Sequence, residues 1–112
     1  MASLLRLEKI NILLKEELSK IIDRELEFPE GIIVTITRVV SSQDLHYATV
    51  LISIFGADHK LPLAILQKNV YNIQQILNRK MRMRPVPKIR FGVDEEETRR
   101  ETVEKYLAEL KK

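Results

Sequence analysis

The segment IIVTITRVVSSQDLHYATVLISIF, residues 32–55, decides the fold. Its first part, Ile32 to Val40, is β-branched almost throughout, and its second, Leu45 to Phe55, alternates in character. The alternation puts Ala48, Val50, Ile52 and Ile54 on one face, with His46 beside them or at the frayed edge. Ser41-Ser42-Gln43-Asp44 forms a tight connection in which Asp44 is a turn former through bonds from nearby backbone amides. The reading is an antiparallel hairpin with one apolar face that another element must cover.

Upstream, the cover is at hand. Leu7, Ile10, Leu14, Leu18 and Ile21 recur at three- and four-residue steps, so Leu4 to Leu26 predicts an amphipathic helix with Ser3 as N-cap. Phe28-Pro29-Glu30-Gly31 stops it. Downstream, Asp58 is a candidate cap and Pro62 suits the first turn of a second helix, with Leu63, Leu66, Val70, Ile73 and Leu77 as its apolar stripe. At 100° per residue, Lys68, Asn72, Gln75, Arg79 and Arg82 fall on the opposite side. Arg84-Pro85-Val86-Pro87 is expected to end this helix. Lys88 to Val93 then reads as a third strand with Ile89, Phe91 and Val93 inward and Lys88 and Arg90 outward. Thr98-Arg99-Arg100-Glu101 has the form of a capping box before a short last helix carrying Val103, Leu107 and Leu110. The expected order is α, β, β, α, β, α in a single domain of residues 1–112, with 94–112 as an appended acidic helix.

Charge is sorted along this frame. The chain carries a formal net charge of +3, yet from His59 to Val93 it has no Asp or Glu and eight cations: Lys60, Lys68, Arg79, Lys80, Arg82, Arg84, Lys88 and Arg90. The segments on either side are each net acidic. Such sorting creates a one-signed field, the footprint of a surface that meets phosphates, provided the cations converge on one side of the folded chain. Ordinary solvated helices mix signs for i,i+4 support, and the ridge from Lys68 to Arg82 does not. Arg forks suit phosphate oxygens, while Asn72 and Gln75 suit sugars and base edges.

The absence of cysteine excludes disulfides, thiolate nucleophiles and Cys-ligated metals. At 112 residues with 45% apolar side chains, the chain fits one ordinary globular domain. Met-Ala-Ser-Leu-Leu-Arg lacks a signal-peptide apolar core and no run of about 18 apolar residues occurs, so the expectation is a soluble, untargeted, cytoplasmic protein without a membrane role.

Three stretches together resemble one family: Val34-Thr35-Ile36-Thr37-Arg38-Val39; Ser42-Gln43-Asp44-Leu45-His46-Tyr47-Ala48-Thr49-Val50; and Met81-Arg82-Met83-Arg84-Pro85-Val86-Pro87-Lys88-Ile89-Arg90-Phe91. The chain, from its first helix through Asp94, resembles ribosome-binding factor A, a bacterial assembly factor of the small ribosomal subunit. The resemblance implies an α+β, type II KH-like fold: a three-stranded sheet with helices packed on one face. It also implies a monomeric, non-enzymatic binding protein without a cofactor. Its expected partners are the free 30S subunit and 16S rRNA late in maturation, where it assists 5′-end processing. The family usually has an Ala-x-Gly step in its long helix, where this chain has Asn69-Val70-Tyr71. Without Gly or Pro between Leu63 and Arg84, the residues themselves predict a shallow bend or none. The family often has a basic carboxy-terminal extension; here the last segment is net acidic.

The RNA-binding candidates are Lys68, Tyr71, Asn72, Gln75, Arg79, Lys80, Arg82, Arg84, Lys88 and Arg90. Tyr71 flanks the ridge and either stacks on an unpaired base or sits half-buried at the core edge. Met81 and Met83 read as core fillers. Asp44, His46, Asp58 and His59 lack the spacing of a metal or acid/base site. The acidic run Asp94-Glu95-Glu96-Glu97 either complements the last helix's dipole or folds back over the cations. Other classes remain: a permanent ribosomal or other structural RNA-binding protein, and a DNA-binding helix, disfavoured for lack of a helix-turn-helix partner.

Overall fold

A computed structural model describes residues 3–56 and 58–110, without the side chains of residues 97–99, 101 and 102. The elements are α1 (Leu4–Glu25), β1 (Ile33–Ser41), β2 (Tyr47–Phe55), α2 (Lys60–Lys68), α3 (Val70–Lys80), β3 (Lys88–Val93) and α4 (Glu95–Leu110). The sheet order is β1-β2-β3, with β1 antiparallel and β3 parallel to the central β2. Parallel pairing of β2 and β3 requires a crossover, and α2 with α3 supplies it.

The hairpin and α1 are buried on the faces that their periodicity requires. Leu14 and Leu18 of α1 meet Ala48, Val50 and Ile52 of β2 and Leu66, Ile73 and Leu77 of the crossover in one apolar cluster. α1 is capped by Ser3, whose Oγ accepts from the Arg6 amide at 3.2 Å. The helix is tied to β1 by Lys15 Nζ donating to Thr37 O at 3.2 Å and by Asn11 Oδ1 accepting from the Ser41 amide at 3.1 Å. In the hairpin loop Asp44 Oδ1 accepts from the His46 amide at 3.1 Å and from Ser42 Oγ at 2.7 Å, the turn-forming role expected of it. His46 lies outside the strand and is exposed, so of its two expected places it takes the frayed edge.

Two features bend the hairpin. Thr37 is an extra residue in β1, opposite the step between Leu51 and Ile52, and its hydroxyl donates to Asp94 Oδ2 at 2.6 Å. Gly56 follows β2 with φ +95°, and a Cβ there would stand 2.1 Å from the carbonyl oxygen of Gly31, itself at φ +87°. Only glycine fits this crossing.

At three points the fold departs from the pattern of the sequence. The crossover helix is divided at Asn69 (φ −101°, ψ 5°), where the residues predict a shallow bend or none. Asn69 does this without glycine: its side-chain Nδ2 donates to Ile65 O at 2.7 Å, and its amide reaches both Ile65 O (3.2 Å) and Leu66 O (3.1 Å). A side-chain amide that bonds the preceding turn competes with continuation of the helix. The helix also ends at Lys80, not at the Arg84-Pro85-Val86-Pro87 segment. Buried Met81 turns to extended geometry (φ −85°, ψ 140°), and the Arg84 guanidinium donates to the carbonyls of Met81 and Met83, satisfying the chain just beyond the helix end. The Arg84–Pro85 peptide is cis. Finally, α4 begins at Glu95 and runs 16 residues, so it is neither short nor started by the Thr98 box, whose Thr98 and Glu101 side chains lie outside the described set. Glu95 and Glu96 in its first turn fit the positive end of a helix dipole. Val103, Tyr106, Leu107 and Leu110 are all exposed, so these apolar residues add nothing to the core.

Candidate nucleic-acid interface

α3 is held with Ile73 and Leu77 fully buried, and geometry then fixes what its other side shows. Asn72, Gln75 and Arg79 are exposed on that side, with Lys80 beside them, and Lys68 is exposed at the end of α2 just before the break. Tyr71, in the first turn of α3, is 75% exposed, which removes the half-buried core-edge reading. Arg82 is also exposed but sits past the helix end, so it belongs to the loop that leads to β3 and not to the helical ridge expected for it. Arg84 is exposed in the same loop, although its guanidinium already donates to two carbonyls there. Met81 is buried and Met83 partly buried against the core, as core fillers should be.

Lys88 and Arg90 are placed differently. In register, Lys88 faces Tyr47 and Arg90 faces Thr49, while Ile89 faces Ala48 in the core. Side chains alternate across a strand, so Lys88 and Arg90 project from the sheet face opposite the helices. The ten candidates therefore do not share the single side that the charge sorting suggests. Eight lie on the crossover helices and the following loop, and two lie on the outer sheet face; the loop from Met81 to Pro87 carries the positive belt between them. Gln74 fixes the two parts together: its Oε1 accepts from the Ile89 amide at 2.8 Å, and its Nε2 donates to Pro87 O at 3.1 Å and Asn78 Oδ1 at 2.9 Å.

Among the described residues, no ion pair joins a carboxylate to any of the ten. The ion pairs there are Lys20 with Glu17 (3.9 Å), Arg38 with Asp94 (3.7 Å) and Glu96 (3.8 Å), and His46 Nδ1 with Asp44 (3.1 Å). Asp94 and Glu96 of the acidic run thus reach Arg38 of β1 and not the helical cations, which corrects the fold-back alternative for those two.

Sequence reading missed two cations. A groove between α1 and α3 is lined by Arg24, Glu25, Asn72, Ile76, Arg79 and Lys80, and it continues past Lys20 and Glu17. Lys20 and Arg24 stand four apart at the edge of the α1 apolar stripe, next to Ile21, and that spacing was the available signal. Counting charge by segment hid them inside a net acidic stretch. Among the described residues there is no grouping of His, Asp and Glu suited to hold a metal ion, and no helix long and apolar enough to cross a membrane.

The family model of ribosome-binding factor A matches residues 6–107. Ribosome-binding factor A of Macrococcus caseolyticus is 33% identical over 108 residues, which are 95% of this chain and 95% of that protein. The crystal structure of ribosome-binding factor A from Thermus thermophilus superposes with a TM-score of 0.68 at 26% identity, over 76% of this chain and 91% of that one. A homology model of the Thermus thermophilus factor, fitted into the cryo-EM map of a complex of the 30S subunit with ribosome-binding factor A, gives 0.67 at 26% identity over 77% and 92%. These neighbours are KH-like, and this α+β chain shares that fold.

Proposed function

This chain belongs to the ribosome-binding factor A family, and we propose that it binds the free small ribosomal subunit through 16S rRNA and acts late in the subunit's maturation. It works as a monomeric cytoplasmic factor, one folded unit with α4 appended, and it assists 5′-end processing by holding one rRNA arrangement. A factor of this kind shifts a conformational equilibrium only as far as it binds one arrangement better than the other.

The observation that carries this reading is the run of exposed donors without a paired acid. Lys68, Tyr71, Asn72, Gln75, Arg79 and Lys80 line the crossover helices, Arg82 and Arg84 continue around the loop, and Lys88 and Arg90 reach the outer sheet. Charges not already paired within the protein are available to replace counterions on RNA. The fit of a similar structure, the Thermus thermophilus factor, into the map of a 30S complex with ribosome-binding factor A supports the choice of partner.

The test is co-sedimentation with immature small subunits and with intact ribosomes. Binding to the first and not the second supports the proposal. Stoichiometric retention in mature ribosomes would instead make the chain a permanent ribosomal component.

A further inference from the structure

We infer that the outer face of the sheet is a platform for single-stranded RNA, on which a base stacks against Tyr47 while Lys88 and Arg90 hold the adjacent phosphates. The choice of RNA as occupant rests on the function proposed above; the platform itself rests on strand register.

Tyr47 begins β2 and is 52% exposed. Its direct neighbour in the parallel pair is Lys88, and two residues further along the same face Thr49 pairs with Arg90. Adjacent strands lie about 4.8 Å apart, so the Tyr47 and Lys88 side chains leave the same sheet face side by side. Arg90 is also pre-set: its Nε donates to Thr49 Oγ1 at 3.0 Å, which orients the guanidinium plane and leaves its outer nitrogens for a ligand. Val40, paired with Thr49 from the other side and exposed, supplies an apolar border.

The carboxylates near this sheet are engaged elsewhere: Asp44 of the hairpin loop pairs with His46 at 3.1 Å, and the acidic run lies toward the other end. Asp94 and Glu96 pair with Arg38, and the Asp94 amide donates to Ile52 O at 2.8 Å. Ile52 is five residues beyond Tyr47, roughly 17 Å along the strand. Among the described residues no carboxylate pairs with Lys88 or Arg90. A sheet face bearing exposed rings, Tyr47 at this end and Phe55 at the far end of β2, with cations flanking Tyr47 cannot enter the deep groove of an A-form duplex, whereas an unpaired base offers a face to stack on.

The chain has no tryptophan, so Tyr47→Trp provides a single fluorescent reporter on the platform. Titrated with a ten-nucleotide oligouridylate, the emission of that variant should be quenched saturably. The quench at saturating RNA should persist when Arg79, Lys80 and Arg82 are also changed to Ala. Tyr47→Ala should weaken oligonucleotide binding about 5- to 150-fold, with Tyr47→Phe near wild type. Lys88→Ala with Arg90→Ala should weaken it as well, while circular dichroism shows both variants folded. Binding seen by RNA anisotropy without any change in the indole emission would overturn the platform and leave the rRNA-binding proposal standing. Absence of RNA binding by the wild-type chain at low salt would overturn both. If small-subunit association survives Tyr47→Ala, Lys88→Ala and Arg90→Ala together but is lost on Phe55→Ser, the face is a protein contact and the inference fails.

Discussion

Single residues set the shape of this chain at three points. Asn69 divides the crossover helix with a side-chain bond to Ile65 O, where a glycine would do so by lacking a side chain. That substitution of means was not legible, because a search for kinks looks for Gly and Pro and finds neither between Leu63 and Arg84. Gln74 is the second point. Its removal leaves the amide of buried Ile89 without its partner, so Gln74→Ala should cost about 1 to 3 kcal/mol in chemical denaturation. Asp44 is the third. The Ser42 hydroxyl foremost, then the His46 amide, hold its carboxyl below the ordinary 3.8. A carboxyl lowered by folding adds stability that is present above its unfolded value and is lost as pH falls through the lower folded value. Asp44→Asn should remove that part of the acid limb in a pH series of thermal melts.

Among the elements, the hairpin and α1 were readable because each has one buried face, and burial forces the period of the sequence to match the element. Val50, Ile52, Leu14 and Leu18, all fully buried, stand where the alternation and the three-four spacing put them. The end of α3 was not readable in the same way. Arg82 fits the helical ridge by angle alone, and only the pull of Met81 into the core, with Arg84 covering the freed carbonyls, ends the helix at Lys80. The length of α4 escaped for the opposite reason: its apolar residues have spacing but stay exposed. Two expectations belong to these elements. Leu77→Ala should cost about 2 to 5 kcal/mol in denaturant titrations, because removing a fully buried side chain leaves a cavity in the shared core. Truncation after Asp94 should leave the thermal unfolding of the remainder close to wild type, measured by circular dichroism, because the exposed side chains of α4 add little to the core.

The whole molecule has two cationic surfaces held at fixed separation by one core. The cation cluster was legible as a run in sequence but not as a shape, since the strand after the loop turns Lys88 and Arg90 to the face opposite the helical ridge. Lys20 and Arg24 join the ridge only because α1 packs beside α3. What unites the ten candidates is that no acid among the described residues pairs with them where they stand. Their role is read out by the affinity for free small subunits, or for a 16S rRNA fragment that the protein protects, across a salt series. With six to eight phosphates contacted, log K against log salt should have a slope of about −4 to −7, and changing Arg79, Lys80 and Arg82 to Ala should reduce its magnitude by about 2 to 3. A slope of about −1, unmoved by those three substitutions, would rule out this surface as the RNA contact.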